Sequence, residues 1–214
     1  MPVIALLRHG QASFGTEDYD RLSDLGRRQA VVAGAELAQR GLRSPVVVSG
    51  SLVRQRDTAA IAAQALGVQP SRIDERFDEF DAHAAVEAHL GRPGATQGMD
   101  SREFQVHLDE AMALWMAEGD PRWRDFVDGA LAGLTDLAAS LPARTDAVVA
   151  TSAGVTAAIA GALLDCAPAG VIAMNRVSVN ASITTAVSGS RGLSLVTFND
   201  HGHLLRDRTL LTNR

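Results

Sequence analysis

The sequence predicts an α/β fold with a mostly parallel central sheet, and three observations predict it. Three short apolar runs, "VIALL" (3–7), "PVVVS" (45–49) and "AVVAT" (147–151), have strand length and β-branched content. Each is followed by a stretch with the 3.6-residue periodicity of a helix. Near the end, "NASITTAVSGSRGLSLVTF" (180–198) alternates on either side of Ser-Gly-Ser-Arg-Gly, as the arms of a β-hairpin do.

The elements follow in order. "VIALL" is too short for a helix and apolar throughout, so it reads as a buried strand. In "SDLGRRQAVVAGAELAQRG" (23–41), Ser23 is the expected N-cap, Ala30, Val31, Gly34, Leu37 and Ala38 form an apolar stripe, and Gly41 is the stop. "PVVVS" leads into "SLVRQRDTAAIAAQALG" (51–67), where Ser51 is expected to cap the helix and Gly67 to end it. "AVVAT" leads into the helix "AGVTAAIAGALL" (153–164). From about 82 to 141 no strand is visible. "SREFQVHLDEAMALWMAEGD" (101–120) and "RWRDFVDGALAGLTDLAASL" (122–141) are helical in period, the second with Phe126, Ala130, Leu134 and Leu137 on one stripe. The turn-rich "GRPGATQGMD" (91–100) and "EGDPRW" (118–123) flank them. This stretch is expected to be a helical insertion within a single domain spanning 1–214.

Composition excludes several classes of function. The 214 residues, 46% of them hydrophobic, suffice for one domain with a substantial core. With 25 acidic and 20 basic residues the net charge is -5, and no Lys/Arg run marks a nucleic-acid footprint. No apolar run reaches the roughly 18 residues of a membrane helix, and the N-terminus lacks the length and charge of a signal peptide. Cys166 stands alone among apolar neighbours, so the expectation is a buried thiol, no disulfide framework and a reducing cytoplasm. Nothing in the pattern specifies an oligomeric state.

In open α/β sheets ligands bind at the carboxyl ends of strands, where helices begin. Three places in this chain meet there: Arg8 and His9, then Ser49 to Arg54, then Thr151, Ser152 and the amides of Ala153 and Gly154. Two guanidinium forks, an imidazole and helix N-termini match the oxygens of a tetrahedral anion such as phosphate. Gly10 lets the backbone approach the ligand, and Gly10, Gln11, Ser152 and Ala153 are the expected substrate-binding positions.

The same residues carry a family resemblance. "LLRHGQAS", "YDRLSDLGRRQA", "VVSGSLVRQRDTAAIA", "NASITTA" and "FNDHGHL" together resemble the histidine phosphatase superfamily, whose fold is phosphoglycerate mutase-like, over nearly all of the chain outside the helical insertion. The resemblance implies a three-layer sandwich with helices on both faces of the sheet. It also implies a metal-independent phosphomonoester hydrolase, with no cofactor, acting on a small phosphorylated metabolite. It makes His9 the nucleophile that becomes phosphohistidine, Arg8 and Arg54 the clamp on the phosphoryl oxygens, and Glu79, in "IDERFDEFDAH", the acid that protonates the leaving alcohol.

One departure from the family pattern stands out. Where members usually carry a second histidine after a later strand, this chain reads "VVATSAGV", with Ser152 in that place. Two other readings follow from it. One is a catalytically weak protein that binds phospho-ligands. The other is a serine hydrolase, since strand, Ala-x-Ser-x-Gly and helix approximate a nucleophile elbow, with Asp165 and His201 or His203 following in chain order. His203 is otherwise expected to tie the hairpin end to the sheet, and the pair His201 and His203 lacks the further ligands of a metal site, so no metal is expected. In the insertion, His83, His89 and His107 are expected at the surface or lining the cap. There Arg92, Arg102 and His107 are candidates to meet a polar leaving group, while Trp115 and Trp123 are expected to pack.

Overall fold

Strand β1 (Val3–Arg8) pairs in parallel with β4 (Ala147–Thr151) on one side and antiparallel with β5 (Ile183–Gly189) on the other. The computed structural model describes residues 1–13, 20–117 and 119–213. Tyr19 of the second quoted motif and Glu118 of the turn "EGDPRW" lie outside them. Among the described residues the sheet has six strands in the order β3-β2-β4-β1-β5-β6, with β2 (Val46–Ser49), the edge strand β3 (Pro70–Ile73) and β6 (Gly192–Asp200) completing it. Four strands are parallel and the last two turn back as the predicted hairpin, whose two-residue loop lies between the paired Gly189 and Gly192.

Helices cover both faces. Successive residues of a strand point to opposite sides. Ala5 and Leu7 of β1 thus pack with Ala33 and Leu37 of α1 (Asp24–Gln39) and Ala59, Ala62 and Ala63 of α2 (Val53–Leu66), while Ile4 and Leu6 pack on the other face. That second face is closed by Ala130, Leu134 and Leu137 of α5 (Pro121–Ser140) and by Val155 and Ile159 of α6 (Ala153–Leu163). Within the stretch 82–141, α5 therefore belongs to the sandwich. The separate apolar cluster of Val86, Leu108, Met112 and Ile172 joins α3 (Ala82–Leu90), α4 (Ser101–Ala117) and α7 (Pro168–Val177).

Several local expectations need correction. Ser23 does cap α1, accepting from the Gly26 amide, and Gly67 ends α2 in the left-handed conformation. Val31 and Ala38, however, are exposed; the buried stripe of α1 runs through Gly26, Gln29, Ala30, Ala33, Gly34 and Leu37. Ser51 does not cap α2, because its hydroxyl donates to Asp78 and the Val53 amide finds Asp20 instead. Cys166 is only partly buried, since it sits in the turn between α6 and α7. Among the described residues no helix is long and apolar enough to cross a membrane.

Candidate active site

The strand ends meet as the topology requires. Arg8 is in register with Thr151, Ser49 with Ala150, and the His9 amide donates to the Thr151 carbonyl at 2.8 Å. His9 is thereby fixed just beyond β1, only 8% exposed. Its Nδ1 lies 2.7 Å from the Gly10 carbonyl, which can only accept, so Nδ1 carries the proton and Nε2 presents its lone pair. Arg54 Nε donates to that Nε2 at 3.2 Å. Burial, then the charges of Arg54 and Arg8, hold the imidazole well below its usual pKa, against the bond to Gly10. A neutral His9 whose Nε2 keeps its lone pair is a nucleophile once a ligand oxygen takes over the Arg54 donor.

Glu79 reaches the same place from the other side. Its Oε2 accepts the Gly154 amide at 2.9 Å, at the N-terminus of α6, and its Oε1 accepts its neighbour Phe80's amide. Burial pushes this carboxyl up, while the two amides and the charges of Arg54 and Arg8 pull less strongly the other way. A carboxyl raised by burial beside two cations is suited to hold a proton and release it to a developing alkoxide. Gly154 is required here, because a Cβ at that position would stand 2.1 Å from Glu79 Oε1.

The other expected site residues have these places. Arg8 is 8% exposed and donates to the carbonyls of Ser178 and Asn213. Gly10 faces the Gly26 carbonyl of α1, where an added Cβ would come within 2.2 Å, so packing on α1 accounts for the missing side chain. Gln11 is locked to α1: its amide donates to Gln29 and its side-chain oxygen accepts from Ser23. Ala153 opens α6 and is 8% exposed. Ser152 is wholly buried; it occupies the N-cap position without capping, and its Oγ accepts from Gln55 Nε2 at 2.8 Å.

That placement removes the serine hydrolase reading. A nucleophile elbow must present its hydroxyl beside a histidine, whereas the hydrogen-bond partner of Ser152 Oγ among the described residues is Gln55. His203 faces the Ala181 carbonyl and His201 that of Asn199.

Two contributors escaped the sequence reading. Asp20 accepts both from Arg54 Nη1 at 2.7 Å and from the Val53 amide at 2.7 Å. It is thus an anion that offsets an arginine in the first turn of α2. The signal lay in "YDRLSD", where Asp20 precedes α1 and Asp24 opens it, without a motif to separate the two. Gln55, fully buried, spans Ser152 and the Phe77 carbonyl, and Thr151 Oγ1 donates to that same carbonyl at 2.7 Å. The two bonds fix the short 3₁₀ turn Glu75–Phe77 that carries the chain to Glu79.

In the insertion, Arg92 and Arg102 are exposed and His107 pairs with Glu110. Trp115 meets Phe80 edge to face at 5.6 Å and Trp123 lies 5.7 Å from Phe126, so both tryptophans pack as expected.

Comparison with known proteins gives the family and the fold. Residues 4–201 match the family model described as the histidine phosphatase superfamily, branch 1. A glucosyl-3-phosphoglycerate phosphatase of Mycolicibacterium vanbaalenii is 37% identical over 127 residues, 56% of this chain and 49% of the relative. A 2,3-bisphosphoglycerate-dependent phosphoglycerate mutase of a Hydrogenobaculum strain is 28% identical over 128 residues, 56% of this chain and 48% of the relative. The chain thus spans about half the length of the curated relatives it matches. Among solved structures, a mycobacterial glucosyl-3-phosphoglycerate phosphatase with inorganic phosphate superposes with a TM-score of 0.68 at 25% identity, over 95% of this chain and 99% of that one. Bacillus stearothermophilus YhfR superposes with a TM-score of 0.69 at 17% identity, over 95% and 100%, which is likeness of fold alone.

Proposed function

The chain belongs to the histidine phosphatase superfamily, and from that premise we propose that it hydrolyses phosphomonoesters of a small phosphorylated metabolite through a phosphohistidine on Nε2 of His9. The observation that carries the reading is the Nε2 lone pair, freed by the Gly10 carbonyl and directed at Arg54. Nε2 attacks phosphorus in line, the N–P bond forms and the ester P–O bond breaks. Glu79 gives its proton to the departing oxygen, and the guanidinium groups of Arg8 and Arg54 balance the charge on the non-bridging oxygens. Water then attacks the phosphohistidine, Glu79 takes its proton, and inorganic phosphate leaves with the imidazole restored. No metal or cofactor enters any step.

Gly10 and Gln11, which follow β1, and Ser152 and Ala153, which follow β4, are the proposed substrate-binding positions. Ser152 in place of a second histidine supplies a hydroxyl where a cation would otherwise stand, and this favours slow turnover. We read residues 1–214 as one domain and, on its single cysteine, place it in the cytoplasm.

Release of inorganic phosphate from p-nitrophenyl phosphate tests the reading. Turnover by the wild type and its loss in His9→Ala are expected. Phosphate binding at His9 without turnover of any ester would leave the binding-protein reading instead.

A further inference from the structure

Away from the strand ends, three metal-ligating side chains converge between α3 and α4. His89 lies in the last turn of α3, while His107 and Glu110 lie one turn apart on α4, so their spacing places them on one face. Glu110 Oε2 stands 3.1 Å from His89 Nε2 and 3.1 Å from His107 Nδ1. All three donor atoms lie within 4.8 Å of one another. An ion with tetrahedral bonds of about 2.0–2.1 Å has neighbouring ligand atoms roughly 3.3 Å apart, so the carboxylate oxygen already stands near the required distance from both nitrogens. The side chains of the two histidines are 20% and 26% exposed and that of Glu110 is 52% exposed, which leaves a solvent side for a water as fourth ligand.

We propose that His89, His107 and Glu110 bind one divalent ion of the zinc class, joining the last turn of α3 to α4. Two imidazoles with one carboxylate suit zinc, nickel or copper, whereas magnesium and calcium need more oxygen ligands than this trio offers. The site is separate from the phosphatase chemistry, which uses none of these residues. His89 Nδ1 is buried without a hydrogen-bond partner among the described residues, so binding of Nε2 leaves an unmet donor behind it. The expected affinity is therefore modest.

The test is calorimetric titration of the full chain with zinc alone, with the visible spectrum of the cobalt-loaded protein as a second measurement. One equivalent of zinc is expected, with the intense absorption of four-coordinate cobalt. Glu110→Gln and His107→Gln should each weaken binding about tenfold or more. His9→Ala should leave it unchanged. Absence of binding, an octahedral cobalt spectrum, or binding lost in His9→Ala but kept in Glu110→Gln would overturn the proposal. The cobalt spectrum of the wild type decides the matter even if a variant fails to fold.

Discussion

Arg54 Nε stands 3.2 Å from His9 Nε2, so the guanidinium donates to the lone pair that attacks phosphorus. The arginine must be held close without being held fast. Asp20 supplies that hold from the far side, through Nη1 at 2.7 Å. A phosphoryl oxygen entering between the two takes over the Nε donor and frees the imidazole.

The first prediction is graded by this arrangement. Arg54→Ala should lower kcat/KM by about 100 to 1,000-fold, the usual cost of losing one preorganised donor to a developing charge. Asp20→Asn keeps the shape but loosens the guanidinium, so steady-state kinetics should show a smaller loss, on the order of tenfold. An Asp20→Asn loss as large as that of Arg54→Ala would place Asp20 in contact with the substrate.

The second concerns pH. Burial and two cations lower the pKa of His9, and burial raises that of Glu79. Attack requires neutral His9 and departure requires protonated Glu79, so kcat/KM should follow a bell whose acid limb reports His9 and whose alkaline limb reports Glu79. The optimum lies between the two limbs. In Glu79→Gln the alkaline limb should vanish from the pH profile while the acid limb remains.

A third prediction separates position from chemistry at Glu79. Gly154→Ala puts a methyl group at 2.1 Å from Glu79 Oε1 and must displace the carboxyl. Like Glu79→Gln, it should slow hydrolysis of alkyl phosphates far more than that of p-nitrophenyl phosphate, whose leaving group hardly needs an acid. Equal loss on both substrates would remove Glu79 from the role of acid.

The sequence disclosed the sheet and its strand ends because buried strands are apolar in unbroken runs and the helices after them carry caps. It did not disclose β3, since "PSRI" is an edge strand whose four residues are all exposed and show no alternation. His9, Arg8, Arg54 and Glu79 were legible from the motifs, and the fold gathers them within reach of one another's charge. Asp20 and Gln55 were not, because a lone aspartate before a helix and a glutamine inside one look like any others until partners arrive from distant elements. The trio His89, His107 and Glu110 was hidden for the same reason: two helices separated by the loop 91–100 bring it together. Gly10 was legible as a close approach, but the structure gives that approach to the Gly26 carbonyl.

A fourth prediction concerns Ser152. Its wholly buried hydroxyl accepts from Gln55, so Ser152→Ala should cost about 1 kcal/mol of stability and little turnover. Ser152→His should overpack the site, costing roughly 1–3 kcal/mol unless Gln55 is shortened as well. Thermal melts and initial rates check both. A fluorophosphonate adduct on Ser152 would contradict its placement.

A fifth is a stability prediction remote from the site. Burial alone would raise Asp146, but hydrogen bonds from the Arg43 side chain and from the Val3 and Arg43 amides outweigh it and hold the pKa at about 2. A folded pKa below the unfolded value contributes stability above the unfolded pKa that is lost as pH falls through the folded one. Asp146 should thus contribute about 2 kcal/mol at neutral pH and progressively less between about pH 5 and pH 2. Denaturant melts of Asp146→Asn should show a deficit at pH 7 that shrinks below pH 4.

The central claim is that the phosphoryl group passes through His9, and trapping the covalent intermediate tests it most directly. Rapid quenching of turnover with labelled substrate should yield a phosphoenzyme that is acid-labile and base-stable, with the label mapped to the peptide containing His9 and absent from His9→Ala. Label on another residue, or full turnover by His9→Ala with no phosphoenzyme, would contradict the account.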